Sequence, residues 1–481
     1  MIAAPSNYGS ALIEERVNGA HAATFAFDDD DLLTQAGGLA ITRDPASGFV
    51  TQASAGLVTE AWTYNDYGEV ETYTATVGGL VQVAWSYVRD DLGRIVEKTE
   101  TTAAGSRVLV YEHDLAGRLI AVYEDGLLAE SYGYDDNGNR LSSLNADGVF
   151  DAAFDDQDRL LEYGDEIFTW TDNGELLAKV DTATGDTTTF AYDAVGNLRG
   201  VGLPSGDLVE YLVDGRGRRV GKRVNGALVK GWLWRGQLQP VAELDGAGNV
   251  VARFVHAGGV NVPALMMTPS ATYRLVTDHL GSVRRVLDVA TGVVVQELEY
   301  DSWGRVLLDT NPGLQPFGFA GGLYDPDTGL VRFGARDYDA ETGRWTAKDP
   351  IRFDGGDNLY AYVGNSPTHW KDPRGLCDSS EGGCSAGDGT GGQHGGGPGT
   401  DPSVDPAYDP ETEMCFDEAN TCDDLGGADG SWTGSRPGWQ VSQGRRSGAP
   451  RRLKGMPASD AFRDAAGRQP EVLRRARRTM P

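Results

Sequence analysis

One short pattern, repeated along most of the chain, restricts what this polypeptide can fold into. From about residue 60 to 310 an aromatic residue, an aspartate, two or three variable residues, a glycine and then arginine or asparagine precede a short apolar run. Instances are HDLAGRLIAVYEDG from His113, YDDNGNRLSSL from Tyr134, YDAVGNLRGV from Tyr192, LDGAGNVVARFVH from Leu244 and YDSWGRVLLD from Tyr300. DDLGRIVEKTE from Asp90 and VDGRGRRVGKRVNG from Val213 are variants, and in FDDQDRLLEYGD from Phe154 the glycine is replaced by Asp158. Glycines at 93, 117, 138, 174, 196, 217 and 248 set a period of about 20 to 22 residues, with one beat carried by Asp158.

That period accommodates two strands of about five residues, a tight turn and a return connection. DNG, DAVG and DGAG are turn compositions, in which Asp or Asn bonds the backbone and Gly accepts a positive φ. The runs that follow, such as RIVEKTE, VVARFVH and VVVQELEY, alternate or are rich in β-branched residues, as strands are. The expected fold class is all-β, almost free of helix. A single hairpin buries too little to stand alone, so the units must stack on one another. Turns every ten or so residues without helical connectors favour one long antiparallel ribbon that twists into a curved wall, a compact sandwich being the competing arrangement. Residues 1 to about 60 read as degenerate copies, with no evident cap at Met1, so the edge strand there needs another partner and the chain reads as incomplete as a functional object.

The formal charge of −29 argues against nucleic-acid binding by the body of the chain, because the acidic surface repels phosphate. Only the end from Gly444 to Pro481 runs the other way, with arginine pairs such as Arg445-Arg446 and Arg474-Arg475; there nucleic-acid contact stays open. No run of 18 apolar residues suggests a membrane-spanning helix, and the N-terminus lacks the basic start and apolar centre of a secretory signal. All four cysteines, Cys377, Cys384, Cys415 and Cys422, lie late in the chain as two C-x6-C pairs, with His394 between them. That spacing is unlike structural zinc hairpins; disulfides, metal ligation and free thiols remain alternatives. The Gly- and Asp-rich stretch 377–440 is too polar to build a core and reads as a disordered linker, and 441–481 as a basic tail with one or two short helices.

Just before this change in composition lies GARDYDAETGRWTAKDPIRFDGGDNLYAYVGNSPTHWKDPRGL, which carries two Asp-Pro steps, Asp349-Pro350 and Asp372-Pro373. Two close carboxylates resist ionising together, so one can activate water while the other, protonated, donates to a carbonyl or leaving nitrogen. Arg344, Lys348 and Arg352 are candidates to tune such a pair, and Asp354 and Asp357 are alternative acids. The competing reading is that these aspartates only cap turns. Asp278-His279 and the paired acids of GGLYDPDTGL and DYDAETGRW read as turn residues, and Trp234, Trp303 and Trp345 as packing aromatics. No Walker loop, dinucleotide fingerprint, HExxH or GxSxG motif is present, and no cofactor or metal is expected.

The YDxxGR units, TDHLGSVRRVLD from Thr277, PFGFAGGLYDPDTGLVRFGARDYDAETGRWTAKDP from Pro316 and NLYAYVGNSPTHWKDPRGL from Asn358 resemble the RHS/YD-repeat proteins with an RHS repeat-associated core. These are polymorphic toxins related to the C components of insecticidal toxin complexes. The resemblance implies a spiralling β cocoon, here a partial wall, around a variable C-terminal passenger. It also implies self-cleavage after the leucine of the DPxGL motif, formed here by Asp372, Pro373, Arg374, Gly375 and Leu376, so that the broken bond is Leu376-Cys377 and Asp349 and Asp372 are the acting pair. Domain boundaries follow as repeats over 1–276, core and plug over 277–376, linker over 377–440 and tail over 441–481. The implied partners are the chain's own passenger, an upstream repeat region, a delivery machine and an immunity protein, with secretion or delivery to a cell surface after a cytoplasmic stage. A noncatalytic extracellular adhesion or carbohydrate-binding protein and an inactive truncated cassette are the alternatives.

Overall fold

The computed structural model of the protein describes residues 2–8, 11–18 and 20–376. The expectations for the linker, the basic tail, His394 and the cysteines Cys377, Cys384, Cys415 and Cys422 lie outside the described residues. Thirty strands, from Ile2–Tyr8 to Val306–Asp309, form one antiparallel sheet in which each strand pairs with the next in sequence. Among the described residues no pairing joins the first strand to the last, and the only helices are three 3-10 turns. The sheet runs without interruption across residues 276 and 277, because TDHLGS and YDSWGR supply the same turn as the earlier repeats.

The repeat pattern has a direct structural meaning. Asp90 Oδ1 accepts the backbone N–H groups of Leu92 and Arg94, each at 3.0 Å, while Arg94 Nε donates back to Asp90 Oδ2 at 2.8 Å. Gly93 N–H donates to the Asp90 carbonyl at 3.0 Å with φ at 78°. The same closure recurs at Asp114/Arg118, Asp135/Asn139, Asp155/Arg159 and Asp214/Arg218. Arginine or asparagine is therefore specified after the glycine because it ties the turn to its own aspartate. Asp158 fills the glycine beat with φ at 61°, a region that Asp tolerates better than most residues. The aromatic that opens each turn ties adjacent units: Tyr134 Oη, before Asp135, donates to the Leu119 carbonyl at 2.7 Å, and Trp170 Nε1, before Thr171 in the aspartate's place, donates to the Leu160 carbonyl at 2.6 Å.

Curvature brings the early strands against much later ones. Glu15, Glu60 and Glu100 meet Arg253, Arg274 and Arg284 at 2.5, 2.5 and 3.1 Å. Tyr73 and Trp85 donate to Glu60 and Glu100, so these buried carboxylates are both paired and hydrogen-bonded. Such pairs persist in a dry seam when their remaining lone pairs are satisfied, as they are at Glu60 and Glu100.

Residues 310–376 leave the wall and plug it. A second sheet of four short strands, Leu323–Tyr324, Leu330–Phe333, Arg336–Asp339 and Arg344–Trp345, carries Phe333, Tyr338 and Trp345. These pack with Tyr362 and with the wall residues Tyr73, Trp85, Tyr111 and Tyr132 in one apolar cluster. The plug meets the repeat turns of the wall. Asn365 and Asn358 donate to the Gly138 and Asn137 carbonyls, Tyr360 to Gly174, and Arg332 to Gly217, at 2.8 to 3.1 Å. Tyr338 donates to the Trp303 carbonyl at 2.8 Å. The turns thus serve twice, ending each hairpin and gripping the plug.

Candidate functional site

Asp349 and Asp372, 23 residues apart in sequence, are brought to one cation. Arg336 Nη2 lies 2.7 Å from Asp349 Oδ2 and 3.4 Å from Asp372 Oδ2, and all three side chains are almost wholly buried. The rest of the guanidinium is anchored by the plug itself. Nε donates to the Gly375 carbonyl at 2.6 Å, Nη1 to the Leu359 carbonyl at 3.2 Å, and the plane lies 4.1 Å from the Trp345 ring centroid. One side chain therefore touches both acids and the carbonyl one residue before Leu376. A planar fork of fixed donors suits this task better than the point charge of a lysine.

The junction is threaded through a narrow slot. Ala335 N–H donates to the Arg374 carbonyl at 2.8 Å, and Gly375, with φ at 65°, lies so close to the Phe333 carbonyl that a Cβ there would come within 2.4 Å of it. Pro373 and Gly375 are buried and Leu376 is half-buried. On the other side the short turn Arg352–Gly355 covers Asp349. A Cβ built on Gly355 would stand 2.5 Å from Asp349 Oδ2 and 2.6 Å from the Leu376 carbonyl oxygen. Both atoms border that one point, so they lie within about 5 Å of each other, one intervening water or a small shift from hydrogen-bond reach.

Burial pushes the Asp349 carboxyl above its ordinary range, and Arg336 pulls against that rise. Burial in turn pushes Arg336 down to about 10, against the pull of Asp349 and Asp372. Asp349 also does what the turn-capping reading requires: its Oδ1 accepts the Ile351 N–H at 2.9 Å.

The supporting cation is Arg336, and the sequence reading did not single it out. Arg344 instead faces the wall, donating to the Asp158 carbonyl at 2.6 Å, to Asn139 and to Asn358. Lys348 reaches Gln157 at 3.3 Å, and Arg352, Asp354 and Asp357 are exposed. Among the described residues none of these forms an ion pair with Asp349 or Asp372. A signal for Arg336 was present in the strand period. It shares a face with Tyr338 two residues on, and a cation on the face of a core aromatic must be buried and paired.

The remaining candidates are structural. Asp278 caps its turn through the Leu280 and Ser282 N–H groups, and burial pushes His279 down to about 4 while its Nε2 meets the Thr368 carbonyl. Asp325 and Asp327 hold Lys222 at 2.5 and 2.6 Å. Trp234 bonds the Arg219 carbonyl, while Trp303 and Trp345 lie in the plug cluster.

Comparison with known proteins agrees with this architecture. The family model described as the teneurin YD-shell matches residues 10–366, a stretch that takes in Arg336 and Asp349 and stops before Asp372. The chain is similar to teneurin-4 of Mus musculus, 28% identical over 303 residues that cover 61% of this chain and 11% of the relative. It is also similar to the toxin protein Tse5 of Pseudomonas aeruginosa, 26% identical over 385 residues that cover 66% of this chain and 29% of Tse5. The crystal structure of TcdB2-TccC3-Cdc42 superposes with a TM-score of 0.55 at 17% identity, over 76% of this chain and 21% of that one, which is a likeness of fold. The chain thus spans a small part of each of these relatives. With its repeat turns, its continuous antiparallel wall and its plug, this chain belongs to the teneurin YD-shell family of RHS/YD-repeat shell proteins.

Proposed function

We propose that the plug cuts its own backbone between Leu376 and Cys377 and so frees the 105 residues from Cys377 to Pro481 as a passenger of the shell. The observation that carries this reading is the single guanidinium that holds two buried carboxylates and the Gly375 carbonyl together. Asp349, whose carboxyl burial favours keeping a proton, acts as the acid, and Asp372 as the base. Asp372 takes a proton from water, whose oxygen bonds to the Leu376 carbonyl carbon while Asp349 protonates the carbonyl oxygen. The resulting diol collapses as the bond to the Cys377 nitrogen breaks. That nitrogen receives the proton held by Asp372, and Asp349 recovers its own from the hydroxyl. The products are a Leu376 carboxylic acid and a Cys377 amine, so one water is consumed and both acids return to their starting forms. Arg336 offsets the repulsion between the two acids and holds the junction in register.

The likeness to toxin protein Tse5, and the shared fold with a TcdB2-TccC3 assembly, support delivery of the passenger as a toxin, in competition between bacteria or into other cells. Delivery requires export or presentation at a cell surface. Among the described residues no helix is long and apolar enough to cross a membrane.

Intact-mass analysis of the wild-type chain beside Asp349→Asn and Asp372→Asn variants tests the proposal. Wild type alone breaks after Leu376. If all three remain whole while folded, the Arg336 cluster is a clamp that pins the plug, and a noncatalytic, adhesive role for the shell takes the lead.

A further inference from the structure

Gly355 and Gly356 stand side by side in the turn that covers Asp349, and they are glycines for different reasons. Gly356 has φ at 133°, a conformation that side-chain-bearing residues rarely adopt, yet a Cβ there would meet nothing within 4 Å. Gly355 is the reverse. Its backbone lies outside the left-handed region, so the chain path does not demand glycine, but a Cβ would be forced against Asp349 Oδ2, Asp349 Cγ and the Leu376 carbonyl oxygen at 2.5, 3.0 and 2.6 Å. All three atoms belong to the acid and the carbonyl of the proposed cleavage, which border the same point.

We infer that Gly355 is a positioning residue for self-cleavage: its bare Cα lets the turn close over Asp349 and the Leu376 carbonyl, setting the gap between them and excluding bulk water from it. This rests on the cleavage reading above and adds a determinant outside the acid pair and its arginine. A methyl group at this position has no flexible neighbour to displace on the Leu376 side, because that contact is backbone. The acid or the junction must move, or the turn must lift. Proton transfer tolerates such misplacement poorly, since a shift of about 1 Å can slow a reaction roughly a hundredfold. Lifting the turn also admits water to Asp349 and removes the burial that keeps its proton on. The pH at which cleavage fails through loss of that proton therefore moves downward.

The test is a time course of cleavage in freshly synthesised full-length chain, followed by intact mass from pH 5 to pH 8, for wild type, Gly355→Ala and Gly356→Ala. Near-ultraviolet circular dichroism of the Tyr338, Trp345 and Tyr362 cluster reports whether the plug is seated. The expected result is a seated plug in both variants, with Gly355→Ala cleaving about a hundredfold more slowly and losing activity at lower pH than wild type. Gly356→Ala, strained but unobstructed, keeps the wild-type pH profile. Equal rates and profiles for wild type and Gly355→Ala overturn the inference while leaving the acid pair in place, as does a pH profile shifted equally in both variants. A wild type that never cleaves removes the reading on which it rests.

Discussion

Replacing Arg336 with methionine keeps a comparable stem over Trp345 but strips away the cation that two buried carboxylates share. In the native plug Nη2 is 2.7 and 3.4 Å from those carboxylates, and Nε and Nη1 hold the Gly375 and Leu359 carbonyls. At an effective dielectric of about 20, one such contact near 4 Å amounts to about 4 kcal/mol before desolvation, and breaking a buried pair from one side costs about 3–5 kcal/mol net. We expect that loss at pH 8. It should shrink at lower pH, because Asp349, deprived of that cation, can escape by binding a proton. Asp349 already sits above its ordinary range through burial, and without Arg336 it rises further. A carboxyl raised in the folded state contributes stability that is fully present below its unfolded pKa and is lost as pH rises through the folded value. The variant should therefore regain about 1–3 kcal/mol between pH 8 and pH 5. Native-state hydrogen exchange at the Ala335 amide, which is bonded to the Arg374 carbonyl beside the junction, reads the opening of the plug directly. A change below about 1 kcal/mol, or a loss of the same size at both pH values, would refute the reasoning.

Other perturbations separate space from strain and charge from burial. Gly174 and Gly185 both have positive φ, but only at Gly174 would a Cβ strike the plug, at Lys348 Cε and Tyr360 Oη, so Gly174→Ala should destabilise by about 1–3 kcal/mol more than Gly185→Ala in urea unfolding. Burial, with Glu130 adding repulsion, pushes the Asp301 carboxyl up to about 7. Its contribution to stability is thus lost as pH rises through about 7, so the thermal midpoint should fall from pH 6 to pH 8, and Glu130→Gln should flatten that slope; an unchanged slope rejects the assignment.

The wall was legible because its information is local. The aspartate, the glycine and the closing arginine lie within five residues, and even the substituted beat at Asp158 adopts the expected positive φ. The aromatic before the aspartate was legible as a fixed member of the repeat, though not as the donor that Tyr134 offers to Leu119. Contacts set by curvature were not legible. Nothing near Glu60 points to Arg274, because antiparallel pairing identifies only the neighbouring strand, and twist summed over many strands decides what lies across the seam. The same limit explains the site. The Asp-Pro steps and the family resemblance drew attention to Asp349 and Asp372, which the fold does bring together. Nearby cations along the chain suggested Arg344, Lys348 and Arg352, whereas the plug turns those toward the wall or the surface and presents Arg336 from a separate strand.

The seam of glutamate and arginine pairs also sets a timetable. Glu15, Glu60 and Glu100 precede their partners by 238, 214 and 184 residues. A ribosome adding about 5–20 residues per second needs roughly ten to forty seconds to make the shortest of those intervals. For that time the early strands exist as a ribbon with acidic side chains still in water, where an unpaired glutamate is well solvated and discourages premature collapse onto neighbouring chains. Fastening begins only when Arg253, Arg274 and Arg284 emerge, and the plug residues follow immediately behind them. The order of synthesis therefore places the tie before the stopper: the wall can be drawn together before residues 310–376 arrive to fill its end.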